Sequence, residues 1–317
     1  MAMVLNRQGQ GTPSPSLVTP GRVRRRGRRG LIVSYAMIVP AFVLLAVFLA
    51  WPAVQGVGRS FYDYNGGNIN EFVGLDNFVS ILTDDTFFRS LKQASLLTVV
   101  GMAQGTLVPL AVAWMVHHFR RERMKYVFRV LVMLPVLVPT IVTFLLWKQF
   151  LAEDGAVNRV LRSLGLDTLA QSWLGDPAWV LVGLMLVAIP WLSGINCLLY
   201  LAGFGNVPTE LYEASRLDGA GWWTVFRRIE YPFVHPLTIV ILTLSLIAGL
   251  QSYESVYVLT RGGPADASIV PGLILFRNAF SYSRYGYASA VGVVVVVIIL
   301  AVIGVVGLVR RIGARDD

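Results

Sequence analysis

Charge is scarce in this sequence. Of 317 residues, 14% are charged and 55% are hydrophobic, whereas a soluble domain usually carries about 25% charged residues. A normal water-facing surface is therefore excluded for most of the chain, and a bilayer is its expected main solvent. Cysteine is reduced to Cys197 alone, which excludes an intrachain disulfide and a thiolate metal cage. The three histidines are His117, His118 and His235. None pairs at the spacing of a zinc-binding helix, so no metal site is expected. Lysine also occurs three times, at Lys92, Lys125 and Lys148, each preceded by a non-glycine residue. A phosphate-cradling loop needs the order Gly-Lys-Ser/Thr, so none of them can build a nucleotide site. No His, Asp or Glu pair recurs at helical spacing within the apolar segments either, and no catalytic residue is assigned. The chain is not read as an enzyme.

What is present is apolar length. A membrane helix needs roughly 20 mostly apolar residues to cross about 30 Å of hydrocarbon. Six segments qualify, at 31–53, 94–116, 130–150, 178–201, 237–258 and 287–309. The last contains VGVVVVVIILAVIGVVGLV with no charge at all. Valine favours strands in water, but lipid offers no partner for an open backbone, so a helix is expected there too. The first span has only an A-x-x-A, with Pro52 inside it, where a signal peptide would show an A-x-A-like site. It reads as a retained helix. The expected fold is all-α, a polytopic membrane protein with six transmembrane helices over residues 31–309. Residues 1–30 form a disordered, Arg-rich tail, and residues 310–317 a short second tail.

The net charge of +9 is assigned to topology and not to nucleic-acid binding. The two tails and the loops after spans two and four hold 18 of the 27 basic residues. By the positive-inside bias, both termini are expected to be cytoplasmic. The run RVRRRGRR at 22–29 would anchor that orientation and could touch anionic lipid.

The loop between spans four and five, residues 203–236, is unusual for its surroundings. It reads as a helix from Pro208-Thr209, a turn at Asp218-Gly219, and a second helix stopped by Pro232. In the second helix Trp222, Val225, Phe226 and Ile229 share one face, and Thr224, Arg227, Arg228 and Glu230 the other. An interfacial helix lying on lipid would explain that half. It leaves the first half unexplained, where small residues allow close approach and Glu213 and Asp218 offer acceptors. A docking element for another protein fits that half better.

These residues carry a resemblance. ELYEASRLDGAGWWTVFRRIEYP, 210–232, resembles the EAA loop of ABC importer permeases. Glu213, Ala214 and Ser215 stand for the EAA triplet, and Asp218, Gly219 and Ala220 for the D-G-A that follows. Gly221, Phe226, Ile229 and Pro232 also match, and Ser215 replaces the usual second alanine. VGLDNF (73–78), FRVLVMLPVLVP (128–139), YVLTRGGP (257–264) and FRNAFSYSRYGYASA (276–290) are similar to phrases of the carbohydrate-uptake, maltose-type branch. Arg261 stands where that branch has glycine. The resemblance runs from the first span to the C-terminus.

The resemblance implies a subunit of a bacterial cytoplasmic-membrane importer. Its partners would be a second permease, a cytoplasmic pair of ABC ATPases carrying ATP and Mg, and an extracytoplasmic solute-binding protein. The EAA helix would couple this chain to the ATPase. The cargo would be a sugar or oligosaccharide, with a sugar alcohol or glycerol phosphate as the alternative. An ion-coupled secondary transporter is a further alternative, but it would call for midplane acids and an internal repeat.

Polar residues inside the spans are candidates for a solute path. Gln251, Tyr253, Glu254 and Tyr257 cluster at the end of the fifth span, where the rings could stack on a sugar or serve as a gate at the interface. Asn196, Trp191 and Gln104 are further candidates, with helix–helix hydrogen bonding as their other reading. Pro135, Pro139 and Pro190 are expected to kink their spans.

Overall fold

The computed structural model describes residues 28–188 and 193–313. The N-terminal tail to residue 27, most of its arginine run, Pro190 and Trp191 lie outside these residues. The chain separates into two compact units, Met1–Ala53 and Val54–Asp317. The first contains α1 (Arg28–Leu45) and a π turn (Ala46–Ala50). An apolar helix of 25 residues, Tyr35–Arg59, has no buried residue in its most hydrophobic window.

The second unit takes in most of α2 (Trp51–Arg59) and opens with a small hairpin, β1 (Tyr62–Tyr64) and β2 (Asn70–Phe72). These strands pair antiparallel with Tyr62 opposite Phe72. The Asn65 side chain caps the turn by accepting from Gly67 and Ile69 backbone N–H groups. Then come α3 (Asp76–Thr83) and α4 (Asp85–His117). Asp84 starts α4 by accepting from the Thr86 N–H at 2.8 Å, which satisfies one of the orphan donors of a helix start.

The third predicted span is broken. Helix α5 (Glu122–Met133) and a 3₁₀ turn (Leu134–Leu137) meet α6 (Thr140–Phe150) at an 87° bend. Proline disfavours the helical region for the residue before it, and Val138 before Pro139 is extended, with ψ 124°. The chain continues through α7 (Ala156–Ser163), α8 (Val180–Ala188) and α9 (Gly194–Gly205). Helices α10 (Thr209–Leu217) and α11 (Trp222–Val225) follow, then a π turn (Phe226–Glu230) and α12 (Tyr231–Gln251). The order ends with α13 (Glu254–Leu259), α14 (Pro271–Phe280) and α15 (Tyr285–Gly313), so the valine-rich run is helical.

The count of six spans is not confirmed. Among the described residues four helices are long and apolar enough to cross a bilayer, or five if the bent pair is one span. The expected fourth span, 178–201, covers two shorter helices, α8 and α9, on either side of residues 189–192, and neither is long enough to be counted.

Pro232 does not stop its helix, contrary to the sequence expectation. Trp222–Gln251 is one helical run of 30 residues. The π turn closes with Tyr231 N–H donating to Phe226 C=O. Pro232 then falls in the first turn of α12, where a missing N–H costs little.

Helices α4, α9 and α12 pack around Ala113, Val116, Cys197, Tyr200, Phe204 and Val234. A second cluster includes Ala94, Leu184, Leu250 and Val270. Glycines set the helix spacing: a Cβ on Gly249 would lie 2.7 Å from the Thr98 side chain. Such small residues let membrane helices approach closely.

Candidate functional site

The loop after α9 folds into a short exposed helix with a defined end. Helix α10 finishes with Asp218 as C-cap and Gly219 at φ +67°. Ala220 N–H donates to Ser215 C=O at 2.9 Å, and Gly219 N–H to Arg216 C=O at 3.1 Å. These two bonds make a Schellman cap, which asks for a glycine at the left-handed position. The D-G-A triplet is therefore a helix stop written in backbone terms. Glu213, Ala214 and Asp218 are exposed, and Ser215 is turned inward. Leu217 is 90% exposed, and Trp222 and Trp223 beside it are also exposed.

The other side of α10 is tied down by an acid. Glu230 is fully buried. Trp114 Nε1 donates to its Oε2 at 2.7 Å. Tyr212 OH donates to its Oε1 at 3.0 Å, and His118 Nε2 lies 3.2 Å from the same oxygen. His118 Nδ1 faces the Trp114 carbonyl at 3.0 Å. Both ring nitrogens of His118 thus face acceptors, an arrangement that favours the doubly protonated ring. The Glu230 hydrogen bond holds the His118 pKa above its usual value, against partial burial and Lys125. The single Tyr212 proton goes to the carboxylate, so the Tyr212 oxygen accepts from His117 Nε2 at 3.3 Å. Burial and the Glu230 charge push the Tyr212 hydroxyl pKa up. A buried carboxylate needs this many partners to stay ionised.

This cluster joins α10 through Tyr212, the end of α4 through Trp114 and His118, and the start of the α12 run through Glu230. The sequence placed Glu230 on the polar face of its helix. Glu230 comes four residues after Phe226, a spacing that puts two residues on one face of a helix, and it lies in a π turn, whose hydrogen bonds span five residues instead of four. Glu230 therefore lies nearly above Phe226, on the inward side.

Two cavities lie among the spans. One of about 490 Å³ is lined by residues that include Pro135, Thr140, Thr143, Ser193 and Ser255. The other, about 350 Å³, lies against Thr98, Gln104, Ser245, Gly249, Ser252 and Ser255. Among the described residues neither lining holds a charged side chain. Gln104 Oε1 is buried and has no hydrogen-bond partner. A third cavity of about 470 Å³, near Lys148, Gln149 and Glu153, lies at the far end of α6.

Gln251, Tyr253, Glu254 and Tyr257 lie outside these three linings. Helix α12 ends at Gln251, and Ser252 is extended, with ψ 133°. Ser252 and Ser255, which the sequence reading passed over, face the cavities in their place. Tyr253 stacks on Phe276 with centroids 5.2 Å apart, and Tyr257 tilts against the same ring. Glu254 is exposed. Asn196 Nδ2 donates to Gly105 C=O at 2.8 Å, tying α9 to α4. No cluster of three or more His, Cys, Asp or Glu suited to a metal occurs among the described residues.

Comparison with known proteins agrees with this architecture. Residues 105–313 match the family model described as "Binding-protein-dependent transport system inner membrane component". The chain is 32% identical over 267 residues to "Probable ABC transporter permease protein YurN" of Bacillus subtilis (strain 168), covering 83% of this chain and 91% of that protein. It is 30% identical over 284 residues to the arabinooligosaccharides transport system permease protein AraP of the same organism, covering 87% and 89%. A solved structure, a bacterial ABC transporter involved in the import of the acidic polysaccharide alginate, superposes with a TM-score of 0.75 at 26% identity. That superposition covers 89% of this chain and 96% of that one.

Proposed function

The chain belongs to the family of binding-protein-dependent transport system inner membrane components, and from that membership we propose that it is one permease subunit of an ATP-driven sugar or oligosaccharide importer. It is a multi-pass protein of the cytoplasmic membrane. We assign it a second permease, a cytoplasmic pair of ABC ATPases holding ATP and Mg, and an extracytoplasmic binding protein as partners. The observation that carries the reading is α10: an exposed, rigidly capped helix whose inner side is bonded to two spans. Glu213, Ala214, Ser215, Asp218, Gly219 and Ala220 form the coupling element. ATP closes the ATPases, the docked helix moves with them, and the attached ends of α4 and α12 follow.

The cargo assignment rests on AraP and the alginate transporter as relatives and on the chemistry of the cavities. A hydroxyl-rich solute needs neutral donors and acceptors, which Thr98, Gln104, Ser245, Ser252 and Ser255 supply. Among the described residues neither lining holds arginine or lysine, the side chains that pair most strongly with phosphate, which weighs towards a neutral sugar over glycerol phosphate. Gln251, Tyr253, Glu254 and Tyr257 extend the polar strip past Ser252, where the tyrosine rings can stack on a pyranose. Asn196 holds the walls together.

Uptake into vesicles tests the reading. It is expected to need ATP, the ATPase subunits and the binding protein. Uptake by this chain alone on a proton or sodium gradient would overturn it.

A further inference from the structure

Glu230 is a fully buried acid that the coupling-helix motif does not call for. It accepts from Trp114 at 2.7 Å and from Tyr212 at 3.0 Å, and it faces the His118 ring at 3.2 Å. These partners come from three separate elements: α4, the turn after it, and α10. Glu230 itself sits in a π turn, a helix irregularity often found at functional sites. The surrounding rings, Trp114 against Trp222 and Phe226, and His117 against Phe204 and Tyr212, close over the carboxylate.

We propose that Glu230 is a positioning residue for ATP-driven transport, whose buried carboxylate bonds the coupling helix to the ends of both the α4 and α12 spans so that one displacement moves both. Without it, α10 would be joined to α12 only through the three-residue turn 219–221, and among the described hydrogen bonds to α4 only through the 3.3 Å bond between His117 and Tyr212, about which it could pivot. Hydrogen bonds to a shared carboxylate fix direction as well as distance, and a buried one cannot trade its partners for water. The inference rests on α10 being the coupling helix.

The test uses the complete importer with both permeases, ATPases and binding protein. Spin labels go on the exposed sites Leu217→Cys and Arg123→Cys, with buried Cys197 changed to Ala. Glu230→Ala is expected to broaden the distance distribution between the labels about two-fold, and to lower the solute moved per ATP hydrolysed roughly ten-fold. Glu230→Gln keeps an acceptor for Trp114 and Tyr212 and should recover part of both. If either quantity stays at its wild-type value in Glu230→Ala, the inference fails. Should Glu230→Ala not assemble, Tyr212→Phe removes the bond between Glu230 and α10, together with the 3.3 Å bond from His117 to the same hydroxyl, and leaves the carboxylate with Trp114 and His118. It must then broaden the distances and lower the ratio, or the inference fails. Should the unaltered importer transport without ATP, the functional reading fails, while the label distances still report on the tie.

Discussion

His118 and Glu230 show how a single pair can sense its surroundings. A histidine with pKa near 6.5 when free is held charged here by the carboxylate. The groups facing it are Glu230, the Trp114 carbonyl, His117 and Lys125, with Lys125 and partial burial opposing protonation. A raised folded-state pKa means that the charged pair contributes fully below pH 6.5, and that this contribution is lost as pH rises through the folded value. The ring is about half exposed, so solvent screening keeps the pair below about 1 kcal/mol. Histidine NMR of the labelled importer should place the His118 midpoint above 6.5 and move it down in Glu230→Gln. Equal midpoints in the two proteins would remove the pairing. The turn that ends α10 was legible in the sequence because a Schellman cap is written in consecutive positions, Ser215 to Ala220. Glu230 was not, because Trp114 lies 116 positions away and an acid beside an apolar face reads as exposed until its distant partners are known.

Helices obey a similar division between local and distant causes. The valine-rich α15 was readable from length and lipid alone. The bend between α5 and α6 was readable from Pro135 and Pro139, since proline acts on its own neighbours. The continuity of the Trp222–Gln251 run was hidden, because Pro232 breaks a regular helix and a π turn just before it changes that outcome. Helix spacing was hidden as well, being set by pairs such as Gly249 and Thr98. A Cβ at Gly249 meets Thr98 side-chain atoms at 2.7 Å, and Thr98 is pinned by its own bond to Ala94 C=O at 2.6 Å. Gly249→Ala is expected to push α4 and α12 apart and to cost about 1–3 kcal/mol, the usual range for overpacking. Thermal unfolding of the detergent-solubilised protein measures this. Adding Thr98→Gly should return most of the loss, and the double variant separates this clash from effects elsewhere. If Gly249→Ala unfolds at the wild-type midpoint, the pair does not set the spacing.

At the scale of the whole molecule, one helix decides which parts share a side of the membrane. Helix α4 has 33 residues, about 50 Å at 1.5 Å each, more than the roughly 30 Å hydrocarbon core. Its first turn follows α3 and the β1–β2 hairpin, and its last turn meets Tyr212 of α10. The hairpin and the coupling loop must therefore lie on opposite faces. Arg120, Arg121, Arg123, Lys125, Arg216, Arg227 and Arg228 gather at the loop end, and positive charge is retained on the cytoplasmic side. Cys197 is buried, so introduced thiols can be read against a silent background. A membrane-impermeant thiol reagent added to intact cells is expected to label Glu71→Cys in the hairpin and to spare Arg123→Cys. Opening the membranes should make Arg123→Cys reactive as well. The opposite pattern would put α10 outside the cell, where no ATP-driven partner could reach it, and would overturn the orientation and the coupling role together.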